Sequence, residues 1–103
     1  MTIEKNLQGT ALEIALTGRL DTMTAPALEA ELKQSIAGVT ALTFDFAGLE
    51  YLSSAGLRVL MASQKVMDRQ GSMVVRNVNR TIMEVFEITG FLKVLTVEEA
   101  SQQ

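Results

Sequence analysis

The chain has 103 residues, 48% of them apolar, with nine Lys and Arg against twelve Asp and Glu for a net charge of -3, enough apolar material for one compact core without covalent staples. It has no cysteine and no histidine, which excludes disulfides, thiolate zinc sites, cysteine nucleophiles and the serine–histidine triad, and leaves carboxylates, lysine and hydroxyls as the only catalytic material. The basic residues are scattered rather than gathered into a phosphate-neutralising face, and no apolar run approaches the roughly 18 residues of a spanning helix, so neither nucleic acid nor direct membrane insertion is expected.

In chain order, Ile3 to Leu7 and Leu12 to Leu16 alternate apolar and polar residues around Gln8-Gly9-Thr10, the pattern of an antiparallel hairpin. Thr24-Ala25-Pro26 then reads as a capping hydroxyl followed by proline in the first turn of a helix. Leu28, Leu32 and Ile36 form the apolar stripe of that helix, and Gly38 is its stop. Ala41 to Phe46 is expected to be a short buried strand running into a polar loop. Ser53-Ser54 opens a second helix to about Gln70, with Leu57, Leu60, Met61 and Met67 as its stripe. Gly71 ends it, Ser72 to Val75 gives a strand, and Ile82, Val85 and Phe86 mark a third helix closed by Gly90. Asn79-Arg80-Thr81 matches a glycosylation sequon, read here as a chance match. Val94 to Val97 is the last expected strand, and Glu98 to Gln103 reads as a frayed end.

This order predicts an α/β fold in a single domain over residues 1–103: a mixed, largely parallel sheet of about five strands, with an amino-terminal hairpin and three main helices. Met1 to Lys5 opens with no basic segment and apolar run of a secretory leader, so a cytoplasmic protein is expected.

In open α/β sheets the working surface lies beyond the carboxyl ends of the strands. Here that rim gathers Gly18, Arg19, Asp21, Thr22, Met23 and Thr24 with the segment Gly48, Glu50, Tyr51, Ser53, Ser54 and Gly56. Ser54 has two compatible readings: a cap that accepts a hydrogen bond from the first turn, or a phosphoacceptor whose added charge of about -1.5 to -2 a helix amino terminus would stabilise. Asp21 reads as a solvated loop carboxylate or a cap, Met23 as interface or gap-filling side chain, and Leu52 as core. A hydrolase would need a Gly-x-Ser-x-Gly turn, a Ser-x-x-Lys pair or a histidine, and the sequence has none of them. There is no phosphate-cradling Gly-x4-Gly-Lys-Ser/Thr either.

Leu16-Thr-Gly-Arg-Leu-Asp21, Leu52-Ser-Ser-Ala-Gly-Leu57 and Thr89-Gly-Phe-Leu-Lys93 together resemble the STAS domain, and the short length resembles its free-standing bacterial anti-sigma-factor antagonists. The resemblance covers nearly the whole chain. It implies a non-enzymatic protein without cofactors that binds an anti-sigma-factor serine kinase when unphosphorylated, is released by phosphorylation, and is restored by a serine phosphatase. In that family the regulatory serine lies two residues before the glycine that precedes leucine, so Gly56 points to Ser54. One departure is Ser53, which stands where many antagonists carry aspartate and offers a second hydroxyl to the kinase. Asp21, Thr22, Met23, Thr24, Tyr51, Ser53, Ser54 and Gly56 are the expected partner-binding residues. The alternative implied by the resemblance is a constitutive accessory STAS subunit of a membrane transport complex.

Overall fold

The amino-terminal hairpin forms from β1 (Thr2–Gln8) and β2 (Ala11–Leu20), paired antiparallel from Thr2↔Thr17 to Gln8↔Ala11. The two-residue connection is possible because Gly9 takes φ 63, a left-handed conformation that costs glycine nothing. A computed structural model describes residues 1–100. After the hairpin come α1 (Ala25–Ser35), β3 (Ala41–Leu52), α2 (Ser54–Gln70), β4 (Ser72–Val78), α3 (Arg80–Thr89), a 3-10 turn over Phe91–Lys93, and β5 (Val97–Glu99).

The five strands stand in the order β1-β2-β3-β4-β5, antiparallel in the hairpin and parallel thereafter. This is the mixed α/β fold expected from the sequence, with three helices. Because every parallel crossover steps in the same direction, right-handed connections put the helices on one face of the sheet. The burial pattern agrees. Leu12, Ile14, Leu16, Leu42, Phe44, Phe46, Met73 and Val75 are buried, whereas Glu13, Ala15, Thr43, Asp45 and Val74 between them are only half-buried. Phe46 stacks on Phe86 of α3 at 6.5 Å between ring centroids, and Lys5, on the helix side of β1, reaches Glu31 of α1 at 2.8 Å.

Several expectations change, among them the end of β4, which runs to Val78 rather than Val75. The strand expected to stop at Phe46 continues to Leu52. Its register against β2 jumps between Ala15 and Thr17 and again between Gly18 and Arg19, each time with one extra residue on β3. Two bulges therefore break the alternation that marks a strand, and residues 47–51 mimic a loop. Asp45 stabilises the first bulge by accepting from the Ala47 N–H at 2.9 Å and from Asn77 Nδ2 at 2.9 Å.

The last strand lies at Val97–Glu99 rather than Val94–Val97. Phe91–Lys93 coils into the 3-10 turn, and Leu95 turns inward as a core plug, so the apolar run is spent on packing. Glu98 and Glu99 belong to that strand rather than to a frayed end, while 101–103 lie outside the described residues.

The stripe of α2 also differs in detail. Val59, Ser63 and Gln64 are buried with Leu57, Leu60 and Met67, and Met61 is half-buried. Asn79, the first residue of the sequon, caps α3: its Oδ1 accepts from the Ile82 N–H at 3.0 Å, and its Nδ2 donates to the Leu49 carbonyl at 2.9 Å.

Candidate functional site

The carboxyl ends of β2 and β3 are paired residue for residue, Arg19↔Tyr51 and Leu20↔Leu52. Across that ladder the Ser53 N–H donates to the Leu20 carbonyl at 2.9 Å, which ties the start of α2 to the end of β2. The two expected rim segments are therefore brought together.

On the β2 side, the turn from Asp21 to Thr24 is built around one carboxylate. Asp21 Oδ1 accepts from the backbone N–H of Met23 at 3.0 Å and of Thr24 at 3.1 Å, an Asx-type arrangement. Thr24 Oγ1 accepts from the Asp21 N–H at 2.9 Å and donates to the Arg19 carbonyl at 2.8 Å. The threonine hydroxyl is thus consumed by the turn and does not cap α1 as expected from sequence. Its backbone, at φ -101 and ψ -22, is already helical rather than extended, and the side chain makes no capping bond. Partial burial pushes the Asp21 pKa up. The hydrogen bonds from Thr24 and Met23 and the charge of Arg19, Nε at 3.7 Å from Oδ2, outweigh it and hold the carboxyl below its ordinary value.

This organisation forces Met23 outward. It is 86% exposed, which decides against a core role. The Arg19 guanidinium lies 4.1 Å from the centre of the Tyr51 ring, and Tyr51 is itself 42% exposed. Thr22 is exposed beside them.

On the β3 side, Ser53 holds the cap position of α2 with extended φ and ψ, and Ser54 is the first helical residue. The capping role expected of Ser54 therefore falls to its neighbour's position, one residue earlier. Ser53 makes no capping bond either: its Oγ is enclosed and lacks a hydrogen-bond partner among the described residues. Ser54 is exposed, with the unpaired N–H groups of the first turn around it.

Gly56 is buried, so its place in the site is structural rather than a contact. A Cβ there would stand 2.7 Å from Leu20 Cγ and 2.7 Å from Leu52 Cδ1, which is why α2 can sit this low on the β2–β3 pair. Leu52 is core as expected, 5% exposed. One residue was not singled out from sequence. Arg58 is exposed one turn beyond Ser54 and lines a shallow groove with Thr22, Ala25, Pro26, Glu29 and Ala55. Its signal, a cation four residues after the serine on the expected second helix, was present in the sequence.

Fold and rim together define a small STAS-type α/β module. Residues 3–97 match the family described as Mlab, STAS domain, and the chain belongs to the STAS domain family. BtrV of Bordetella bronchiseptica, a candidate anti-sigma factor antagonist, is 36% identical over 89 residues, spanning 84% of this chain and 77% of that protein. The anti-sigma-B factor antagonist of Bacillus subtilis is 24% identical over 92 residues, spanning 88% of this chain and 84% of that protein. Among solved structures, the anti-sigma factor antagonist SpoIIAA in its unphosphorylated form superposes with a TM-score of 0.76 at 18% identity, over 97% of this chain and 90% of that one. The phosphorylated form of SpoIIAA, a Bacillus cell fate determinant, gives 0.74 at 19% identity, over 93% and 90%. At such identities the likeness is one of fold.

Proposed function

We propose that this chain is an anti-sigma-factor antagonist working by partner switching. Unphosphorylated, its rim binds an anti-sigma-factor serine kinase and so frees the kinase's other client. Phosphorylation of Ser54 by that kinase ends the interaction, and a serine phosphatase restores it. ATP and magnesium belong to the kinase, and the chain itself is a cytoplasmic binding module rather than an enzyme.

The observation that carries this reading is the placement of Ser54. It is exposed at the first residue of a 17-residue helix, on a rim that also presents Met23 and Tyr51. A phosphate there meets the positive end of the helix and its free N–H groups, so the fold tolerates the modification while the rim gains about -1.5 to -2 charges. A surface that binds through apolar and aromatic side chains is spoiled by such a charge without being unfolded. Ser53 is the weaker acceptor, because its enclosed Oγ has to leave the cap position before a kinase can reach it.

The test is affinity capture with the unphosphorylated protein in an extract of its source organism, followed by phosphosite mapping and calorimetric titration of two variants. Ser54 is not the capping residue of α2, so Ser54→Ala should melt within about 0.5 kcal/mol of the parent. It should hold its partner in the presence of ATP and magnesium, where the parent is released. Ser54→Asp should be at least as stable, because a carboxylate in the first turn favours the helix by about 0.3–1 kcal/mol, yet bind more weakly. Equal affinity of both variants, with phosphate at neither serine, refutes the switch and leaves the constitutive-subunit alternative.

A further inference from the structure

Ser54 and Arg58 lie one turn apart on α2, both exposed. Residues four apart on a helix are surface neighbours, with Cβ atoms about 5–6 Å from each other. Most of the other charges around this corner are already paired. Arg19 pairs with Asp21, and Glu29, across the groove on α1, pairs with Lys33 at 3.6 Å. Glu50 lies on β3. Among the described residues Arg58 forms no ion pair.

We infer that Arg58 is a built-in receptor for the phosphate on Ser54, an ion pair that exists only in the phosphorylated protein. This deepens the proposed function and rests on Ser54 being the acceptor. A phosphoserine at position 54 places three acceptor oxygens within reach of a guanidinium whose planar fork suits bidentate binding. The consequence is a double change at the rim. Before phosphorylation Arg58 offers a free cation beside Thr22, Pro26 and Ala55, where a partner carboxylate can meet it. Afterwards that cation is folded onto the phosphate and withdrawn from the partner, so the modification removes an attractive group as well as adding a repulsive one.

The test installs phosphoserine at position 54 by genetic code expansion, so it needs no kinase, and follows the phosphate by ³¹P NMR as pH is varied. The helix terminus acts equally in all variants, so differences report the side chain. Arg58→Gln should raise the apparent second pKa of the phosphate, ordinarily about 6, by about half a unit or more. Arg69→Gln, the same charge change near the far end of α2, should move it by less than half as much. An unchanged value in Arg58→Gln, or an equal shift in Arg69→Gln, overturns the inference. Failure of Ser54 as the physiological acceptor is read separately, from phosphosite mapping of the kinase-treated parent, and leaves this titration standing as a measure of the pair alone.

Discussion

Gly56→Ala sets two effects of known sign against each other, and the structure decides which prevails. Alanine is the better helix former by up to about 1 kcal/mol in a helix interior, and less at the third residue of α2, where the gain is partial. Against this, the new methyl group would lie 2.7 Å from Leu20 Cγ, 2.7 Å from Leu52 Cδ1 and 2.9 Å from Leu20 Cδ2. Leu20 is fully buried and Leu52 5% exposed, so neither can swing into solvent. Relief requires two off-rotamer leucines or a displaced helix start, costing about 1–3 kcal/mol. The expected net loss is about 1–2 kcal/mol. For a chain of this size that lowers Tm by about 5–15 °C, readable by differential scanning calorimetry with urea melts to confirm an unchanged slope. A variant that melts at or above the parent temperature would refute the argument that Gly56 is required by the packing of α2 on the Leu20–Leu52 pair.

Asn79→Ala should cost about 1.5–3 kcal/mol in urea unfolding, because it removes both the cap of α3 and the donor to the Leu49 carbonyl. Asn79→Asp keeps the capping oxygen and loses only the donor, so a loss equal to that of alanine would show that the cap contributes nothing. Asp21 gives the pH dependence. Its folded pKa is depressed, so its charge stabilises the native state above the unfolded value of about 3.9, and that contribution is lost as pH falls through the lower folded value. The Tm advantage of the parent over Asp21→Asn should therefore shrink as pH is lowered from about 5 to 3. A difference constant over that range would refute the assignment of the turn to the charged carboxylate.

The strands and helices were legible where one periodicity runs undisturbed: the hairpin, α1, α2, β4 and α3 were all visible in the alternation and stripes of the sequence. β3 was misread beyond Phe46 because its bulges are a property of pairing with β2, which local pattern does not contain. β5 was displaced because Val94 and Leu95 are apolar for different reasons, one left 45% exposed and the other a core plug. Within the site, Asp21, Met23, Tyr51 and Ser54 could be chosen from sequence. Their local roles could not. Thr24 and Ser54 have the residue types of caps, but one serves the Asp21 turn and the other sits a position too late. The Arg19–Tyr51 stack and the burial of Gly56 depend on the register of β2 against β3, which only the folded chain displays.

The strictly sequential strand order also bears on how the chain reaches this state. Each strand joins the edge left by its predecessor, and no strand has to be inserted between two already paired. Every ladder therefore closes over the shortest loop its crossover allows, which keeps the entropic cost of closure low and favours rapid folding for a mainly parallel sheet. During synthesis, each new helix–strand unit can add to an edge already present instead of displacing a paired strand.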